Sequence, residues 1–289
     1  MYHLVFCLLL SLFSIQASAS SSYKYELSAC AIFQDEGPYL REWIEYHRML
    51  GVQHFYLYNN NSTDNFRDVL SPYVKKNIVE IIEWPSQPNT NFDSIQIGAY
   101  NHCIQKVKKD TRWMAIIDID EFIVPVHYNN LQELLKNYSS EGGLQIFWQF
   151  FGTSGVEKIP DNMTLIESLT WKAPKDDNLH YNFKTIVQPR AVEEYKVHGG
   201  SYKKHWHEIF PHGTRGGAWQ PIHIDIVRIH HYWMRDEDYF RNFKVPRREK
   251  FEGTTYTEER IQAMINALNQ VQDTTILRFV PKLRSRLGM

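Results

Sequence analysis

Apolar and polar positions along this chain switch repeatedly between a strand pattern and a helix pattern. Leu27 to Phe33 is a nearly continuous apolar run, as expected of a strand covered on both faces. Pro38 suits the first turn of a helix whose stripe is Leu40, Trp43, Ile44, His47 and Leu50, and Gly51 supplies a stop. His54 to Tyr58 reads as a second strand, followed by the polar loop Asn59 to Asn65 and a short helix ending near Pro72. Ile78 to Glu83 reads as a third strand. Asp93 is then placed to cap a helix with Ile97, Asn101, Ile104 and Val107 on its stripe. Trp113 to Ile117 is the fourth strand, and it runs into Asp118-Ile119-Asp120-Glu121.

This alternation predicts an α/β domain with a mainly parallel central sheet and helices on both faces. In such sheets ligands collect beyond the carboxyl ends of the strands. Gln34-Asp35-Glu36, the Asn59 to Asn65 loop and Asp118 to Glu121 all fall there. From about Leu144 the chain is richer in strand patterns, aromatics and histidine, and no repeat or linker interrupts it. We therefore expect one domain over 24–289 with two lobes, 24–125 and 126–289.

The N-terminus has a different pattern. Leu4 to Ile15 is apolar and Ala17-Ser18-Ala19 fits a small-residue cleavage site, so residues 1–19 read as a secretory signal or an N-terminal anchor. A signal places the protein in the secretory pathway; an uncleaved segment ties it to a membrane, on the cytoplasmic face if the host is bacterial. Asn60, Asn61, Asn137 and Asn162 begin Asn-x-Ser/Thr triplets, which matter only in a glycosylating host. Of three cysteines, Cys7 would leave with a signal. Cys30 and Cys103 sit in apolar contexts that suit buried thiols, although one disulfide is open to them.

Composition narrows the partners. Lys plus Arg and Asp plus Glu number 32 and 33, a net charge of −1 that argues against general nucleic-acid binding. Aromatic residues make up 14% of the chain, serving as core fillers or as surfaces for sugar rings. There is no Gly-rich phosphate loop, no Gly-x-Ser-x-Gly elbow and no Cys-x-x-Cys pair, which disfavours an ATPase, a dehydrogenase, an α/β-hydrolase or a redox protein.

The strongest local signal is Ile116-Ile117-Asp118-Ile119-Asp120-Glu121-Phe122. An apolar strand ending in three carboxylates places them at the rim, because burying unpaired charge is costly. Residues alternate across a strand, so Asp118 and Asp120 are expected to point to one side and to grip a hard divalent cation. Seven histidines lie between His198 and His231; the run at His230-His231 is the best ligand candidate, after the alternating strand Ile222 to Arg228. His205-Trp206-His207 is the second, its two imidazoles sharing a strand face. Lys184, Arg190, Arg228 and Arg235 are candidates to meet diphosphate charge.

Several motifs in order resemble glycosyltransferase family 92. They are Cys30 to His47, Gly51-Val52, Phe55 to Asp64, Asp118 to Phe122, Phe150 to Gly155, Lys184 to Pro189 and His231-Tyr232-Trp233. The resemblance implies a GT-A fold, a UDP-sugar donor, typically UDP-galactose, a Mn²⁺-type cation (or Mg²⁺), and inversion at the anomeric carbon. It implies that Asp118 and Asp120 bind the metal and donor diphosphate and that His231 is the distal metal ligand. It sets Glu36 and Asp64 beside the nucleotide and adds Lys184 to the donor site. It makes 24–125 the nucleotide-sugar-binding half and 126–289 the acceptor-binding half, with Trp148, Phe150, Phe151, Trp206, Tyr232 and Trp233 flanking the cleft for a saccharide or glycoconjugate acceptor. Gly155-Val156-Glu157 departs from the family's frequent His after the Gly. No base is assigned among Glu157, Asp176, Asp177 and Glu208. A metal-dependent phosphodiesterase and a non-catalytic carbohydrate-binding protein are the competing readings.

Overall fold

In the computed structural model, which describes residues 23–86, 90–215 and 220–289, the alternation of the first half becomes four parallel-paired strands separated by three helices. These are β1 (Tyr25–Phe33), α1 (Gly37–Met49), β2 (His54–Asn59), α2 (Phe66–Lys75), β3 (Val79–Glu83), α3 (Phe92–Val107) and β4 (Thr111–Ile116). Residues 1–19, read as a signal or anchor, lie outside the described residues. Among those described, no helix is long and apolar enough to cross a membrane.

β1 shows why a continuous apolar run marks a central strand. Leu27, Ala29, Ala31 and Phe33 face the core containing Leu40, Trp43, Ile44, Leu70 and Tyr73, from α1 and α2. Cys30 and Ile32 face Ala99, Tyr100, Cys103 and Ile104 of α3. Helices therefore cover both faces, and each layer takes alternate residues of one strand. Cys30 and Cys103 are both free and buried.

Two helix ends differ from the sequence pattern. The cap of α3 is Asn91, whose side chain accepts from Asp93 N at 2.7 Å, so Asp93 sits in the first turn instead. Pro72 does not end α2 but lies inside it. Position 72 and Asp68, whose carbonyl loses its partner, are both exposed, while the same helix buries Leu70 and Tyr73.

The second half supplies β5 (Glu121–Pro125), α4 (Leu131–Leu135), β6 (Gly143–Phe150), α5 (Leu165–Ser168), β7 (Trp171–Lys172), β8 (Phe183–Val187), β9 (Val192–Tyr195), β10 (Gly200–Tyr202), β11 (Glu208–Ile209) and β12 (Val227–His231). It closes with α6 (Glu237–Tyr239), a π-helical turn at Phe240–Lys244, α7 (Val245–Glu252), α8 (Glu258–Leu268), β13 (Val271–Gln272) and α9 (Val280–Leu287). The main sheet has the order β3-β2-β1-β4-β8-β6-β12-β5, with β11 beside β6. It is parallel through β4 and mixed beyond, where β8 runs antiparallel to both β4 and β6, and β5 antiparallel to β12.

The strand read over Ile222 to Arg228 begins only at Val227. His205-Trp206-His207 is not a strand; His205 has φ 71°, so the two imidazoles do not share a strand face. In both places alternation comes from irregular chain: Ile222 and Ile224 pack on the core while Trp206 stays half-buried outside it, and a period of two cannot distinguish either from a ladder.

α1 ties the two parts of the sheet together. Trp43 Nε1 donates to Glu121 O at 2.9 Å, and Tyr46 OH to Ile123 O at 2.9 Å. His47 is fully buried between them, with Nδ1 2.9 Å from Trp43 O, and burial pushes its pKa down to about 3.

Candidate active site

The carboxyl ends of β1 and β2 are laced together by side chains. Asp35 accepts from Thr63 N at 2.6 Å, and Ser62 Oγ accepts from Asp35 N at 3.0 Å. Asp64 Oδ2 accepts from Gly37 N at 2.6 Å, satisfying a free amide at the start of α1. A Cβ at residue 37 would stand 2.8 Å from that carboxylate oxygen, which is why the position is glycine. Asp64 thus holds a helix end. Glu36 is bound to Arg235, which is buried with its guanidinium 3.5 Å from the Tyr39 ring centroid and 4.4 Å from that of Tyr239.

Asp118 and Asp120 stand in different surroundings. β4 stops at Ile116, and Glu121 N bonds back to Asp118 O at 3.1 Å, so residues 118–121 form a turn. The strand alternation that would align the two carboxylates therefore does not reach them. Asp118 Oδ2 pairs with Lys184 Nζ at 2.9 Å, while its Oδ1 accepts from Tyr100 OH at 2.9 Å and Gln96 Nε2 at 3.2 Å. Lys184 is buried; burial opposes its charge, but Asp118 and Glu121 outweigh that and raise its pKa above the usual ammonium range. Glu121, buried at the start of β5, accepts from Asp118 N at 3.0 Å.

Asp120 faces His231 instead, with Oδ1 3.3 Å from His231 Nε2 and Oδ2 3.6 Å from Lys244 Nζ. Burial works against its charge, yet His231 and Lys244 hold its carboxyl well below the usual carboxylate range. The backbone fixes this meeting. His231 is opposite Glu121 across β5 and β12, and Tyr232 N donates to Asp120 O at 2.8 Å. The His231 ring is framed by Trp148 and Phe150, with centroids 4.6 and 4.5 Å away. Its Nδ1 is buried and has no hydrogen-bond partner among the described residues.

The other candidates are scattered. Arg228 pairs with Asp273 at 2.8 Å, and the Arg190 guanidinium lies over the Trp206 ring at 5.0 Å. Phe151 and Tyr232, expected at a cleft wall, are fully buried packing residues. Gly152 beside them is required by close approach, since a Cβ there would lie 2.8 Å from the Leu268 backbone. Glu157 and Asp176 are exposed, and Asp177 accepts from Leu179 N at 2.9 Å. Burial raises the Glu208 pKa to about 7, and its carboxylate accepts from Tyr202 OH at 3.1 Å.

Residues not singled out in the sequence complete the site. Tyr100 and Gln96 lie on the buried face of α3. Lys244 reaches Asp120 from the π-helical turn, and a wide turn of this kind has no simple periodicity to betray it. His198, Nδ1 3.0 Å from Phe183 O, packs against Trp148 and is kept neutral by burial and by Lys184.

With this geometry in place, the match to the family described as Glycosyltransferase family 92 spans residues 24–272. The chain belongs to glycosyltransferase family 92. A family 92 protein of Oryza sativa subsp. japonica is 31% identical over 239 residues, covering 81% of this chain and 36% of that protein. A family 92 protein of Arabidopsis thaliana is 31% identical over 184 residues, covering 60% and 30%. A galactan beta-1,4-galactosyltransferase of Arabidopsis thaliana is 30% identical over 139 residues, covering 44% and 27%. The chain thus spans about a third of the length of the curated relatives it matches. Among solved structures, a mannosyltransferase from Pyrobaculum calidifontis in complex with GDP-Man and Mn²⁺ aligns at 11% identity and a TM-score of 0.41, covering 92% of this chain and 75% of that one.

Proposed function

We propose that this family 92 chain transfers a hexose, galactose in our reading, from a UDP-sugar to a hydroxyl of a saccharide or glycoconjugate, with inversion and with Mn²⁺ or Mg²⁺ bound. Family membership supports glycosyl transfer, and the galactosyltransferase relative supports galactose. The observation that carries the reading is the pairing of Asp120 with His231, beside Lys244, at the edge where the parallel strands end. A carboxylate oxygen and an imidazole nitrogen, Asp120 Oδ1 and His231 Nε2, 3.3 Å apart suit a hard or borderline divalent cation. Asp120 and His231 would hold it; Asp118 is already occupied by Lys184, Tyr100 and Gln96 and orients the turn from behind. A bound cation neutralises the departing diphosphate.

The chain's own residues do the rest. Lys244 sets a second positive charge where the diphosphate would develop negative charge. Lys184 and Glu121 keep the acidic turn in one conformation, so little reorganisation accompanies donor binding. An inverting transfer needs a carboxylate to take the acceptor proton on the face opposite the leaving group. A membrane-tethered or secretory location remains our reading of residues 1–19.

The test is a UDP-sugar panel with Mn²⁺, followed by a saccharide acceptor array scored for product and for UDP. We expect acceptor-dependent UDP release, greatest with UDP-galactose and abolished by chelation. Release of UMP and sugar 1-phosphate that no acceptor accelerates would favour the phosphodiesterase reading. Donor binding without turnover in any acceptor would favour a carbohydrate-binding protein.

A further inference from the structure

The lead-in to β12 carries a second cluster of ligating side chains, at the end of the strand opposite His231. Ile222 is buried against Phe147 and Phe210, with Ile224 packed beside them. The intervening His223 and the following Asp225 turn instead to the loop that carries His212. That loop is a tight one: Gly213 N donates to Phe210 O and Phe210 N to Thr214 O, both at 2.8 Å, and Gly213 adopts φ 84°. His212 is thereby held out over the apolar cluster. Its Nε2 lies 2.9 Å from Asp225 Oδ1, and the His212 and His223 ring centroids are 4.3 Å apart. One ligand atom from each of the three lies within 4.8 Å of the others, and this is the one such trio of His, Cys, Asp or Glu among the described residues.

Two imidazoles and a carboxylate match the donor set of a zinc site with one position left to water. Calcium and magnesium prefer oxygen and would leave the two imidazoles unused. Surface charge alone explains the His212–Asp225 pair, but it does not explain a second imidazole drawn to the same point. Side by side, two imidazolium rings would repel; two neutral ones share a cation. We propose that His212, His223 and Asp225 bind a zinc-type divalent cation that ties the 210–214 loop to the lead-in of β12. The site is separate from the Asp120–His231 pair, since β12 alone sets Val227 and His231 about 13 Å apart at strand rise and Asp225 lies beyond its start. The cation clamps the 210–214 loop against the irregular lead-in, with water at the position that the three side chains leave open.

The test uses the whole chain, stripped of metal and titrated with Zn²⁺ against a chromophoric chelator, with Co²⁺ as a spectroscopic substitute. We expect one zinc equivalent whose affinity falls at least about tenfold in His223→Ala and in Asp225→Asn. Asp120→Asn and His231→Ala should retain it. Bound Co²⁺ should show the intense visible bands of a low-coordinate site, absent in the His223 variant. Equal zinc uptake by the wild type and both loop variants would overturn the proposal, as would loss of that equivalent only in the Asp120 or His231 variants. If His223→Ala does not fold, the conservative Asp225→Asn decides alone, because its side chain is 63% exposed and leaves the core untouched.

Discussion

Asp118 and Asp120 are two residues apart in sequence, and the structure gives them different partners. Asp118 has a dedicated counter-charge in buried Lys184 and two further donors from α3. Asp120 has looser partners in His231 and Lys244, at 3.3 and 3.6 Å, and one of them carries an unpartnered ring nitrogen. A carboxylate whose oxygens already accept from three close donors is filled; one whose partners stand at 3.3 and 3.6 Å has room for a ligand. The difference comes from where each partner's element lies. α3 and β8 approach Asp118 from within the sheet layers, whereas β12 and the π-helical turn bring His231 and Lys244 to the rim.

The sharpest test of this contrast is Asp120→Asn. We expect turnover to fall by about 10²–10³-fold with the thermal midpoint nearly unchanged, read as UDP release at saturating Mn²⁺. A variant with normal turnover would remove Asp120 from the chemistry. Lys184→Met should do the reverse and act first on stability. It leaves Asp118 charged without its partner, at a cost of about 2–3 kcal/mol in urea unfolding, below the range for a fully buried pair because Asp118 reaches solvent. Adding Asp118→Asn to it should restore part of that loss, and simple additivity would break the anchor reading.

The third prediction concerns the α1 contact that holds β5, where the acidic turn ends. Folding keeps His47 neutral down to about 3, whereas the unfolded chain takes up the proton near its ordinary pKa of about 6.5. Stability conferred by neutral His47 is complete above about 6.5 and is lost as pH falls toward about 3, at up to about 1.4 kcal/mol per unit. His47→Gln should flatten that acid slope, and an unchanged slope would assign it to other groups. The smallest effect is expected from Tyr100→Phe, which removes one of Asp118's donors. It should cost about 1 kcal/mol of stability and leave the Mn²⁺ requirement unchanged. A raised Mn²⁺ requirement would show that Asp118 is more than an anchor.

The legible part of the molecule is the part whose contacts are local or periodic. The α1 stripe of Leu40, Trp43, Ile44, His47 and Leu50 is buried throughout, and the β1 run is buried on both faces. Asp118, Asp120, Lys184 and His231 could be picked out because they punctuate strands. Tyr100, Gln96 and Lys244 could not, because their partners are 18 or more residues away and nothing in their own segments differs from ordinary packing or surface.

The sequence by itself determined the alternation of strands and helices, the two-sided burial of β1 and the gathering of polar residues at the carboxyl edge, since each follows from side-chain periodicity along one element. Which carboxylate pairs with Lys184 and which with His231 and Lys244 was decided by the tertiary structure. So were the stop of β4 at Ile116, the antiparallel insertion of β8 and the meeting of His212 with His223 and Asp225. These depend on pairing between distant segments, where burial, charge and backbone hydrogen bonds must be satisfied together.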